Sequence, residues 1–276
     1  LVSWGRPPDL NAESLQILEK HRVPWFVTPL RTARAAGVLH EFAAKVASLR
    51  PANFTRPIEP QVLPLPDSGA ALGEHRSKQC LAAYGIPVAK EVFIAADAID
   101  ATTAIDLNFP LAVKIESADI PHKTEAGAVA LGLADLASAK NAARRVLAAA
   151  RSYAPRACID GVVMAEMQSG LEVIVGAVRD PYFGPVVMFG LGGITTELLK
   201  EVSYRFAPFD VHTAREMIEE LRFAPVFKGY RGRPPLDIEA LADLIARVSC
   251  LIADHADRIA EIDVNPVFVR EEGKGV

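Results

Sequence analysis

Lys114 sits inside an apolar run, Phe109-Pro110-Leu111-Ala112-Val113-Lys114-Ile115-Glu116. Read as a strand, it places Leu111, Val113 and Ile115 on one face and Ala112, Lys114 and Glu116 on the other. A lysine in so apolar a strand is costly to bury without an anion. A phosphate would supply one; an edge-strand lysine facing water is the other reading of the same pattern. The loop Pro121-His122-Lys123-Thr124-Glu125-Ala126-Gly127-Ala128-Val129 follows. His122 is a candidate nucleophile toward phosphorus, because a neutral imidazole nitrogen attacks and the phosphoramidate transfers readily. Lys123 and Gly127 would cradle the phosphate. A lone histidine in a polar loop is more often only a surface residue.

Glu166 and Glu172 flank the turn Gln168-Ser169-Gly170. Glu172 interrupts an apolar strand and needs a partner there, such as the hydroxyls of a ribose; Glu166, at a strand end, also reads as merely solvated. In Glu261-Ile262-Asp263-Val264-Asn265-Pro266-Val267, Asp263 and Asn265 project from the same face of a strand, and Pro266 holds Asn265 extended. Two oxygen side chains side by side suit Mg²⁺, which takes few protein ligands and completes its shell with phosphate and water. An Asx turn ahead of the proline is the alternative. Finally, the strand Pro185-Val186-Val187-Met188-Phe189 runs into Gly190-Leu191-Gly192-Gly193, then Ile194-Thr195-Thr196-Glu197. Such a loop can aim backbone N–H groups and a helix N-terminus at an anion, with Thr195 or Thr196 as N-cap. It is no Walker A loop, and the third glycine of a dinucleotide fingerprint would fall on Thr195. A tight strand-to-helix turn is the competing reading.

The elements that must carry these residues are legible in outline. The chain has 276 residues, half of them apolar, enough for one large core or two modest ones. A net charge of −4 points to no nucleic-acid or anionic-membrane partner, and no apolar run approaches the roughly 20 residues of a membrane helix. Cys80, Cys158 and Cys250 have no metal spacing, so reduced thiols in a cytoplasmic protein are expected. No signal peptide is read; the opening Leu1 suggests a fragment of a longer polypeptide. Residues 12–20 and 31–49 read as helices around a strand at 21–29, and residues 51–66, with five prolines, as a stiff linker. After it come a helix from an Asp67 cap to Tyr84, a strand (88–95), a helix (97–107) and strands at 110–116 and 128–133. A helix (135–153) precedes strands at 161–167 and 171–179, joined by a hairpin-like turn. Beyond the glycine loop the pattern predicts helices at 195–201, 211–221 and 237–257. Strands at 202–208, 260–264 and 267–270 complete it. The order argues α/β or α+β with two lobes.

Together the stretches Phe109–Val129, Met164–Pro208, Phe227–Pro235 and Glu261–Val269 resemble the nucleotide-binding half of the acyl-CoA synthetase (NDP-forming) family, whose ATP-grasp domain is related to the succinyl-CoA synthetase β chain. The resemblance implies an ATP-grasp fold at 67–276, with two lobes around a nucleotide cleft. Residues 1–50 would be the tail of a CoA-ligase-type domain, with 51–66 the linker. It implies an ADP-forming acid–CoA ligase that binds ATP or ADP with Mg²⁺ and passes phosphate through a histidine. Lys114, with Lys123, would hold phosphates; Glu166 and the backbone beside it at Met167 the adenine; Glu172 the ribose. Asp263 and Asn265 would ligate Mg²⁺. Gly192, Gly193 and Glu197 would form the phosphate side of the cleft. His122 would be the phosphate-carrying histidine of a mobile loop. CoA and the acyl substrate would be met through upstream domains, in a homo-oligomer. Three departures stand out. Glu125 replaces the usual Asp, and Ala128 a common glycine, which would stiffen the loop. The chain also stops before a strand that completes the family's Mg²⁺ site, and the CoA-binding domain and principal phosphohistidine would lie upstream. The fragment alone would then not complete the synthetase cycle. A ligand-sensing, non-catalytic module of a protein lysine acetyltransferase is the alternative function.

Overall fold

The computed structural model describes the chain outside residues 1, 4–11, 27, 49–54, 67–68, 70, 121, 193–200 and 231. The expected cap Asp67, the helix at 195–201, and Gly193 and Glu197 within the glycine loop lie outside the described residues. The chain divides into two compact units, Leu1–Phe54 and Thr55–Val276.

In the first unit, strand β1 (Val2–Ser3) pairs in parallel with β2 (Trp25–Phe26). Helices α1 (Ala12–Lys20) and α2 (Pro29–Ser48) complete it. The strand expected over 21–29 is short because Thr28 turns the chain. Its hydroxyl accepts from the Arg31 amide, and Pro29 occupies the first helical position.

The second unit holds α3 (Glu74–Ala83), β3 (Glu91–Ala95), β4 (Leu111–Glu116), β5 (Val129–Leu133), α4 (Leu136–Tyr153) and β6 (Gly161–Glu166). Then come β7 (Leu171–Asp180), β8 (Gly184–Leu191), β9 (Val202–Phe206), α5 (Val211–Glu219), α6 (Ile238–Asp254) and β10 (Glu261–Val269). Its described strands form two four-stranded sheets, ordered β3-β6-β4-β5 and β10-β7-β8-β9. Every pairing in both is antiparallel.

In the first sheet Leu111, Val113 and Ile115 of β4 are fully buried, in one core with Ala139, Ala142, Ala143, Val146 and Ala150 of α4. The run of alanines lets that helix lie close to the sheet, and Asp135 and Ser138 close a capping box at its start. Helix α6 packs across β7, β8 and β10 of the second sheet. The inward valines of that sheet, Val173, Val175, Val187, Val267 and Val269, are all buried.

Three sequence expectations are corrected. Residues 97–107 form one turn and then irregular chain, not a helix. Lys140 reaches from α4, and its ammonium donates to the Asp100 and Thr102 carbonyls, taking up acceptors that would otherwise continue a helix. Strands β6 and β7 are not a hairpin but belong to different sheets, and Gln168-Ser169-Gly170 carries the chain between them. A Cβ on Gly170 would lie 2.6 Å from the Val269 carbonyl oxygen, so only glycine lets β7 begin there. The two strands expected at 260–264 and 267–270 are one strand with a bulge. The described part of the proline-rich stretch, residues 55–66, is held in place. Arg56 pairs with Asp254 at 2.6 Å, and Arg258 donates to the Leu65 carbonyl at 2.7 Å. His255 lies 3.0 Å from the Gln61 carbonyl, strapping residues 55–66 onto the end of α6.

Candidate functional site

A cleft of about 950 Å³ opens in the second unit, lined by residues of both sheets. Strand β4 is paired on both sides, so Lys114 is not an edge-strand lysine. With its neighbours' apolar side chains turned into the core, Lys114 points from the other face into the cleft.

Helix α3 brings a carboxylate to it. Glu74 Oε1 lies 3.0 Å from Lys114 Nζ and 2.8 Å from Lys78 Nζ, and its Oε2 lies 3.1 Å from Lys123 Nζ. Lys78 also pairs with Glu91 at 2.6 Å, and Glu91 meets His75 Nδ1 at 2.8 Å. The start of the helix is fixed on β4. The His75 amide donates to Glu116 Oε1 at 3.0 Å, and Gly73 leaves the room, since a Cβ there would sit 2.2 Å from that oxygen. Glu116 is buried and its Oε2 has no hydrogen-bond partner among the described residues. Because that carboxylate cannot swing to water, Gly73→Ala is expected to cost about 1–3 kcal/mol of stability in urea unfolding.

Burial would raise the pKa of Glu74, but Lys114, Lys78 and Lys123 overcome it and hold the carboxyl well below the usual carboxylate range. Burial pushes Glu116 upward, opposed by the His75 amide and Lys123. A depressed carboxylate adds stability that is present above its unfolded pKa and fades as pH falls through the folded value. Glu74→Gln is therefore expected to lower stability at pH 7 by about 1–3 kcal/mol. The gap to the parent should narrow in unfolding curves taken below about pH 4.

The loop carrying His122 is wound rather than extended. The Ala126 amide donates to the His122 carbonyl, Gly127 to Thr124 and Ala128 to Lys123. Gly127 has φ +62°, where glycine is favoured. Ala128 has no such φ and is fully buried, so alanine sits there without backbone strain. His122 is exposed and, with Lys123 and Glu125, lines the cleft.

Val88, Leu131 and Met167 are large apolar side chains left exposed on the cleft wall. Glu166 also lines the cleft. Its carboxylate accepts from the Asn108 amide and side chain at 2.8 and 2.9 Å, its own amide donates to Lys90, and the Met167 amide to Pro110.

The second sheet contributes Glu172 from β7 and Asn265 from β10. Glu172 pairs across the sheet with Phe268, and Asp263 with Gly176. Between Val264, opposite Val175, and Val267, opposite Val173, β10 carries one residue more than β7. Paired residues share a face, so these valines stay on the core side while Asp263, Asn265, Glu172 and Phe268 lie on the other. Partial burial raises the Asp263 pKa, with Glu261 a lesser cause. No group of three or more His, Cys, Asp or Glu side chains among the described residues could hold a metal. Asn265 lines the cleft and Asp263 does not; the two offer oxygen donors of the kind a hard cation takes alongside phosphate and water.

Gly192 has a packing role. Its amide donates to the Glu172 carbonyl at 2.9 Å, and a Cβ would meet the Glu172–Val173 backbone at 3.0–3.2 Å. That amide is therefore not free to face an anion.

Sequence reasoning missed Glu74, Lys78 and Glu116. The first two are four residues apart at a helix start, which reads as an ordinary helix ion pair. Nothing local shows that Lys114 and Lys123 converge on the same carboxylate.

Residues 65–276 match the family model described as an ATP-grasp domain. The chain is 42% identical over 208 residues to the acetate–CoA ligase [ADP-forming] II subunit beta of Pyrococcus furiosus, covering 74% of this chain and 87% of that one. It is 36% identical over 272 residues to acetate–CoA ligase [ADP-forming] I of Archaeoglobus fulgidus, covering 96% of this chain and 39% of that longer one. A solved structure of the Ca. Korarchaeum cryptofilum dinucleotide-forming acetyl-coenzyme A synthetase 1 matches with a TM-score of 0.61 and 34% identity, covering 72% of this chain and 86% of that chain. That protein is in complex with coenzyme A and Mg-AMPPCP, its phosphohistidine segment pointing towards the nucleotide binding site.

Proposed function

This chain belongs to the ATP-grasp family, among relatives of the ADP-forming acetate–CoA ligases, and on that premise we propose that it is the nucleotide-binding part of an ADP-forming acyl-CoA synthetase. The reaction is acyl-CoA + ADP + phosphate ⇌ acid + CoA + ATP. The observation that carries the reading is the convergence on one cleft of Lys114, Lys123 and His122 from the first sheet's side with Glu172 and Asn265 from the second.

In this reading Lys114 holds the α and β phosphates, and Lys123 holds a phosphate beside His122. The adenine slides between Val88, Leu131 and Met167, next to Glu166, because a flat ring gains most from apolar walls. Glu172 accepts from the ribose hydroxyls. Gly192 shapes the β7–β8 junction that leads into the phosphate side, to which Gly193 and Glu197 are also assigned. Asp263 and Asn265 would hold Mg²⁺, which when bound neutralises phosphate charge. The protein groups position and neutralise; the transfer is an in-line displacement onto the His122 imidazole. ADP leaves as the N–P bond forms.

Residues 1–50 are read as the tail of a CoA-ligase-type domain, with 51–66 connecting it to the ATP-grasp domain at 67–276. The match of nearly the whole chain to a longer relative supports this. CoA, the acid and the second phosphohistidine belong to that other part, in a cytoplasmic assembly of more than one copy. No helix among the described residues is long and apolar enough to cross a membrane.

Calorimetric titration with MgADP and MgATP tests the reading. One site per chain is expected, with a dissociation constant between about 1 μM and 1 mM. Absence of heat at millimolar nucleotide would sink it.

A further inference from the structure

We propose that Glu74 is a built-in anion that fills the phosphate seat of the nucleotide-free cleft and is exchanged for the nucleotide's phosphates on binding. The inference rests on the nucleotide reading of the cleft and adds to it a competitor carried by the protein itself.

One carboxylate, 24% exposed, sits among three ammonium groups, with Lys114 and Lys78 on one oxygen and Lys123 on the other. The three lysines are not equivalent. Lys78 has a second acceptor, Glu91 Oε2 at 2.6 Å, and stays neutralised whatever Glu74 does. Lys114 and Lys123 form no other ion pair among the described residues, although Glu116 is near enough to Lys123 to feel its charge. If Glu74 let go of them without replacement, two ammonium groups would face each other half-buried, which costs Coulomb energy. A phosphate group supplies the replacement. Glu74 meanwhile keeps its pairing with Lys78 on its own helix, four residues on, so its release strands no charge.

Two properties follow. A weakly charged anion gains little by displacing a carboxylate already held by three cations, whereas a di- or triphosphate brings more charge and more acceptors. The cleft thereby favours polyphosphate over orthophosphate. Lys123 is also the neighbour of His122, so the tether from Glu74 to Lys123 holds the histidine's loop to the helix until phosphate arrives.

The test is calorimetry with ADP and with inorganic tripolyphosphate on the parent, Glu74→Gln and Glu74→Asp chains, at one salt concentration. Glu74→Gln removes the competitor and is expected to bind both ligands roughly three- to tenfold more tightly. Glu74→Asp keeps the charge, and so the fold, but is one methylene too short to bridge Lys114 and Lys123. It should also tighten binding, by at least about twofold. If Glu74→Gln does not fold, Glu74→Asp decides alone. Binding equal to or weaker than the parent's in a folded variant overturns the proposal and makes Glu74 a positioning residue, with the nucleotide reading intact. Failure of all three chains to bind either ligand overturns the nucleotide reading, and this inference with it.

Discussion

A His122→Ala chain incubated with γ-labelled MgATP should retain label only at background, whereas the parent takes up phosphate that is lost in acid and kept in base. The same substitution should leave MgADP affinity within about twofold, because the imidazole shares no partner with the groups assigned to ADP. The two measurements separate a nucleophile from a binding residue. His122 is exposed, and its loop is held by backbone bonds from Ala126, Gly127 and Ala128, so losing the ring leaves the loop wound. Its chemistry needs only a neutral nitrogen in line with the γ-phosphorus. Label that persists in the alanine variant would move the acceptor to another side chain and end the phosphohistidine reading for this loop.

Lys114→Ala should weaken MgADP binding by roughly 10- to 100-fold, the scale of losing a charge-assisted bond to phosphate. The fold should survive, since Glu74 keeps Lys78 and Lys123 and the replaced side chain leaves the β4 core face of Leu111, Val113 and Ile115 untouched. Calorimetry on the variant beside a thermal unfolding curve checks both parts. Affinity within twofold of the parent would show that phosphate sits elsewhere in the cleft. In a double variant with Glu74→Gln, the two effects should not add, because the residues share one ion pair.

Much of this could be read from the chain alone where a local rule decided it. Alternation predicted the faces of β4, and the helix expected over 135–153 is present as α4, with Asp135 as its cap. What failed depended on distant partners. Residues 97–107 lost their helix to a lysine 38 to 40 residues away. The apparent hairpin at Gln168–Gly170 came from two adjacent strand patterns that belong to different sheets. In the cleft, Lys114, His122 and Asn265 were visible because each is an unexpected residue in its setting. Glu74 was not, because glutamate at the start of a helix is common. Gly192 was noticed for its type but read for an amide that the sheet already uses.

The bulge in β10 has a genetic consequence. The core does not require it: with one residue removed between Val264 and Val267, the valines would still alternate inward against Val175 and Val173. The extra residue instead lengthens the face carrying Asp263 and Asn265. Deleting Pro266 alone should yield a chain that folds and unfolds like the parent yet has lost its nucleotide, a separation of the two duties in a single codon. On the nucleotide reading proposed above, a lineage released from ATP could shed that codon without disturbing its hydrophobic core.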